Sequence, residues 1–147
     1  MTLKHLQDAL VEEMTTLFRG ETFFAPGTTD APMHVFKQQT PTPQVEDDTA
    51  GMIPLVEVKM AGGTGNTAKV LLVFCTYDPD PERDGTDVTL HCITKVLNRF
   101  SENAYVGNFE CSGMEWTVQD GKDYPFYFGF MELTFNIPQP VRKDAFC

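Results

Sequence analysis

The chain has 147 residues, a length that suits one domain able to bury its own core without disulfides or a metal. Hydrophobic residues make up 41% and charged residues 22%, which is a globular composition and neither a disordered nor a fibrous one. The formal net charge is −10, and the eleven Lys and Arg are scattered singly apart from Arg142-Lys143, so no basic stripe exists to neutralise a phosphate backbone and surface binding of DNA or RNA is not expected.

The first pattern is helical. Over residues 2–19, Leu3, Leu6, Leu10, Met14, Leu17 and Phe18 recur on one side of a helix, with Asp8, Glu12 and Glu13 on the other. Gly20 is a plausible stop. This segment carries no apolar signal run, and no stretch approaches the roughly 18 apolar residues of a membrane span. The expectation is a protein that stays inside a cell and has no membrane partner. Residues 20–52 are interrupted by Pro26, Pro32, Pro41 and Pro43 and read as a long loop or arm. Within it, PMHVFKQQ could form a short edge strand, and TPTPQVEDDTAG reads as an exposed loop.

A hairpin pattern follows. IPLVEVKM (53–60) alternates, with Val56, Val58 and Met60 on one face and Glu57 and Lys59 on the other. AGGTGNTA (61–68) is a turn, and AKVLLVFCTY (68–77) is apolar on both faces, as a central strand is. DPDPERDG (78–85) is an acidic loop. TDVTLHCITKVLNRF (86–100) returns to helical spacing, with Cys92, Ile93, Val96, Leu97 and Phe100 as its stripe and Val88 and Thr89 extending it. Asp84, Thr86 and Asp87 favour a helix start there. NFECSGMEWTVQ (108–119) reads as a strand, and Asp120-Gly121 as a hairpin signal.

The last segment, KDYPFYFGFMELTFNIP (122–138), changes character midway. From Met131 the odd positions Met131, Leu133, Phe135 and Ile137 are apolar and Glu132, Thr134 and Asn136 are polar, so one face meets the core and the other meets water. At 126–130, Phe126, Phe128 and Phe130 alternate with Tyr127, and both faces are apolar. One of those faces needs a second cover, from the same chain or from another subunit, because soluble monomers rarely leave such a patch in water. The order α-loop-β-β-α-β-β predicts a single α+β domain, with four to five mostly antiparallel strands and two main helices on one face.

Little in the sequence points to chemistry. GGTGNTAK imitates a dinucleotide fingerprint through Gly63, Gly65 and Ala68, but a strand follows where the motif needs a helix. The loop with Asp78, Asp80, Glu82 and Asp84 lacks the Gly and Glu spacing of a helix–loop–helix calcium site. His5, His34 and His91 have no ligand-spaced partner, and His91 and Cys92 point about 100° apart on a helix. Cys75, Cys92, Cys111 and Cys147 show no metal or redox spacing and read as reduced, packed thiols. No catalytic residue, cofactor or metal ligand is therefore assigned. The alternative is a small intracellular ligand-binding module or enzyme of unknown substrate, using a pocket near Cys92, His91 or the acidic loop.

The succession "IPLVEVKM", "VFCTYDPDPERDG", "DVTLHCITKVLNRF", "GMEWTVQD" and "YPFYFGFMELTFNIP" resembles a group of small bacteriophage proteins, the tail terminators and related head–tail joining proteins of long-tailed phages. The closing Tyr-Pro-aromatic-aromatic-Gly pattern with its alternating strand is the most specific part, and the similarity covers about residues 50–140. The resemblance does not separate a tail terminator from a neighbouring neck or tail-completion protein. It implies a structural role without catalysis: a ring, commonly a hexamer, that caps the tail tube and docks the head. The partners implied are further copies of the chain, the tail tube protein and head-side connector proteins. The implied location is the virion tail or neck, after assembly in the bacterial host cytoplasm. On this reading Tyr124, Phe126, Tyr127, Phe128 and Phe130 serve core packing plus ring contact.

Overall fold

The computed structural model describes residues 2–38, 52–119 and 121–138. The TPTPQVEDDTAG stretch, Asp120, Arg142-Lys143 and Cys147 lie outside them. Helix α1 (Leu3–Leu17) opens on a capping box in which His5 N–H donates to Thr2 Oγ1 and Thr2 N–H donates to His5 Nδ1. It ends before Gly20, whose φ of +83° suits glycine. Leu6, Leu10, Met14 and Phe18 are buried, as the periodicity predicts, whereas Leu3 of the same stripe is 50% exposed.

The next stretch departs from the expected loop. It holds a two-stranded antiparallel ribbon, β1 (Phe23–Ala25) and β2 (Thr28–Ala31), and then β3 (His34–Lys37). The anticipated edge strand in PMHVFKQQ is β3, which lies at one margin of the main sheet and pairs in parallel with β4 (Leu55–Gly63). Gln38 closes this margin: its Oε1 accepts from Met60 N–H and from Gln7 Nε2, and Gln7 also donates to Val58 O. The turn to β5 (Thr67–Tyr77) is only Thr64–Asn66, because pairing continues to Gly63.

Helix α2 (Thr86–Glu102) follows the acidic loop, with Asp84 Oδ1 accepting from Thr86 N–H at 3.1 Å. Then come a two-residue strand β6 (Tyr105–Val106), β7 (Phe109–Val118), one 3₁₀ turn (Gly121–Asp123) and β8 (Phe126–Asn136). The main sheet has six strands in the order β3-β4-β5-β8-β7-β6, all antiparallel except β3 against β4. The protein is thus α+β with two helices and a mostly antiparallel sheet of six strands. The expected four to five strands and the order α-loop-β-β-α-β-β are corrected by β1, β2, β3 and β6. These strands are short, and TTDA in β2 has no alternation that a periodicity argument could find.

Both helices lie on one face of the sheet. Leu10 and Met14 of α1 and Ile93, Val96 and Phe100 of α2 share one core with Val58, Leu72, Met131 and Leu133. Glycine sets the approach of α2 to β8. A Cβ added at Gly129 would lie 2.3 Å from Thr89 Cγ2, and one at Gly85 would meet the Tyr127 ring at 2.1 Å. Thr89 Oγ1 and Thr76 Oγ1 lie 2.9 Å apart in the same buried layer. Gly129→Ala should therefore force α2 away from the sheet and lower stability by about 1–3 kcal/mol, the usual cost of overpacking. Urea unfolding of the two proteins measures this, and an unchanged midpoint contradicts the packing described.

Candidate interface on the second face of the sheet

The strand period of two sends alternate residues of β8 to opposite faces. Tyr127, Gly129, Met131, Leu133 and Phe135 face the helices. Phe126, Phe128 and Phe130 face the other way, and all three are half-buried. Their neighbours follow from register: Tyr77 lies across from Phe126, Cys75 from Phe128 and Val73 from Phe130. Leu55 pairs with Cys75 on the far side. A second, smaller apolar cluster results, built on Ile53, Leu55 and Cys75, with Phe36, Met52, Tyr77, Phe126 and Phe128 packed against it. The Tyr77 and Phe126 ring centroids are 5.5 Å apart. Phe130 lies beyond that cluster. With Leu71, Glu132, Glu115, Trp116 and Thr117 it lines a shallow depression of about 200 Å³. Among the described residues, no helix packs on this face.

Further along the face, the surface turns polar. Lys59 and Glu57 approach to 3.6 Å, and Lys69 and Glu132 to 3.5 Å. The apolar half is therefore bounded by a charged half along the same strands, as the change of pattern within 122–138 predicts.

The acidic loop fastens the apolar end. Asp78 is 2% exposed, and its carboxylate accepts from Arg83 Nε at 2.9 Å and from Arg83 Nη2 at 2.7 Å. The loop also joins the start of β8, since Asp78 N–H donates to Pro125 O and Tyr124 Oη–H donates to Pro79 O. The Arg83 hydrogen bonds, against the effect of burial, hold the Asp78 carboxyl below its ordinary value. These bonds occupy the side chain that headed the calcium-like pattern. No three His, Cys, Asp or Glu groups are gathered for a metal among the described residues.

The five aromatic residues singled out from sequence therefore separate. Tyr127 is 7% exposed and faces the helix layer, against Gly85. Tyr124 precedes β8 and is 46% exposed. Phe126, Phe128 and Phe130 form the row on the second face. His91 and Cys92 are not brought together: the Cys92 side chain is fully buried in the core, while His91 Nε2 lies 2.8 Å from Glu21 Oε1 at the surface. Burial pushes the thiols of Cys75 and Cys92 up to about 12, and raises that of Cys111, so none is held as a thiolate. Lys95 also binds Glu21, beside a groove of about 350 Å³ lined by Phe23, Phe24 and Val88 together with Glu21, Asp87 and His91. GGTGNT is a hairpin turn closed by Thr64 N–H donating to Thr67 O at 2.9 Å. No helix among the described residues is long and apolar enough to cross a membrane. No family model matches the chain, and no curated protein matches it.

Asp78 supplies a pH test. A carboxyl with a lowered folded pKa contributes stability that is fully present above its unfolded value and is lost as pH falls through the folded one. Asp78→Asn should cost about 2 kcal/mol at neutral pH, through loss of charge-assisted hydrogen bonds. The gap to the wild type should close below the ordinary value of 3.8. Chemical denaturation across pH checks this, and a gap independent of pH would assign Asp78 no role through its charge.

Proposed function

We propose that the chain is a structural assembly protein of a phage tail or head–tail connector, similar to tail terminators that form a ring. One observation carries the reading. The sheet is covered by helices on one face only, and its other face presents the half-buried row Phe126, Phe128 and Phe130. Rings of this size left at a surface favour burial against another polypeptide. The resemblance in the closing strand supplies the kind of partner: a further copy in a ring, a hexamer by analogy with such proteins.

The mechanism is stoichiometric binding. One ring surface matches the last ring of the tail tube, and the opposite surface matches the head-side connector. Contacts around such a ring are heterologous, so the rotation between copies must close the circle. Phe126, Phe128 and Phe130 make the contact, Tyr124 borders it, and Tyr127 holds β8 to the helix layer. The net charge of −10 is compatible with a channel that repels passing DNA. The place of action is the virion tail or neck, reached after assembly in the host cytoplasm.

Phe128→Asp should yield a folded monomer that forms no ring, read by sedimentation velocity and electron microscopy. Phe128 also packs in the smaller apolar cluster, so Phe130→Asp, outside that cluster, serves as a companion that spares folding. Rings from both variants at the concentration dependence of the wild type would overturn the assignment.

A further inference from the structure

The sheet ends in a long strand whose outer side is only partly paired. Beyond β7, the partner strand β6 reaches only Phe109 and Glu110, and Cys111 N–H donates to Ala104 O at 2.7 Å. No described pairing of β6 extends past that point, and the β7–β8 ladder has a register shift between Cys111 and Gly113. From there the pairing with β8 fixes where each peptide group points. Gln119 N–H donates to Phe128 O at 3.0 Å. By the two-residue alternation of an antiparallel ladder, Thr117 and Glu115 also turn their backbone groups toward β8. Met114, Trp116 and Val118 turn theirs outward, and no described strand pairs with them.

Natural edges are usually blunted by Pro, Lys, an inward-pointing charge or a β-bulge, and the irregularity of β7 lies at Cys111–Gly113, ahead of this stretch. Residues 112–118 contain no Pro and no Lys, and Trp116, the chain's single tryptophan, is 49% exposed there. Charge is a second, independent observation. Glu115 lies directly across from Glu132, a like-charge pair that is unfavourable in a sheet. Lys69 attends Glu132, whereas no cation among the described residues pairs with the exposed Glu115.

We propose that the Met114–Val118 edge of β7 is a strand-addition site for an extended, basic segment of a different polypeptide. The incoming backbone completes the ladder on Met114, Trp116 and Val118. The side chain set beside Glu115 is Lys or Arg, and the one beside Trp116 is apolar. A second copy of the chain, with its net charge of −10, is the poorer match for this site. The assignment does not depend on ring formation through the Phe row.

The test uses the whole chain and a short synthetic peptide in which lysine alternates with valine, compared with a glutamate–valine peptide. The lysine peptide should give a saturable change in Trp116 fluorescence. It should also slow amide exchange at Met114, Trp116 and Val118 by about tenfold, while Glu115 and Thr117, already bonded to β8, stay as they were. Glu115→Lys, an exposed change that leaves the fold intact, should shift the preference to the glutamate peptide. No saturable response to either peptide overturns the proposal, as does an equal response to both in the wild type. A concentration-driven rise in mass that slows amide exchange at Met114, Trp116 and Val118 in Phe130→Asp as in the wild type gives the edge to a second copy and overturns it too. Trp116 and Glu115 share a depression with Phe130, so the amide exchange of Met114, Trp116 and Val118, measured also in Phe130→Asp, separates the edge from ring assembly.

Discussion

The register of β5 against β8 governs the rest of the molecule. The two strands pair without interruption from Thr67↔Asn136 to Tyr77↔Phe126. A slip of one residue would send Val70, Leu72 and Phe74 away from the helices and bring Lys69 and Cys75 to them. The same slip taken by β8 instead would remove Gly129 from beneath Thr89, where only a missing Cβ lets α2 sit close. Core, helix position and the Phe row on the second face are therefore one choice made along one ladder.

That ladder divides the aromatic residues by purpose. Phe74 and Phe135 are fully buried in the helix-side core, with Phe18 and Phe100 each contributing an edge-on ring contact to them. The Phe126–Phe130 row has no helix above it among the described residues, and its polar boundary begins at Glu132. A strand that is greasy on two sides at one end and on one side at the other is a strand between a helix layer and a partly apolar surface. The acidic loop holds the greasy end in place by the bonds from half-exposed Arg83 to buried Asp78, so its charges are structural anchors as well as solvated groups.

Much of this was legible in the sequence because it rests on local periodicity. α1, α2, β4 and the second half of β8 carry a clear period, β5 carries an unbroken apolar run, and the stripes Val56-Val58-Met60 and Ile93-Val96-Phe100 fall on the core side as expected. The elements that escaped are short or depend on distant partners. β6 is two residues and β2 is nearly all polar, while β3 was legible as an edge strand but its parallel pairing with β4 across a long connection was not. The Phe row was visible as alternation, but which side Tyr127 takes is decided by tertiary packing against Gly85. The open edge at Trp116 could not be read locally, since no strand states in its own sequence that it will be the last long strand of a sheet.

The cysteines add a consequence of a different kind. Cys92 sits in the helix layer, Cys75 under the second face and Cys111 in the strand beside β6; all three are protonated, the first two buried and Cys111 partly exposed. These three thiols of the described residues, at three depths, act as built-in clocks. The pace at which an alkylating reagent reaches each one times the breathing of its own layer, in the unaltered protein and in whatever assembly it joins.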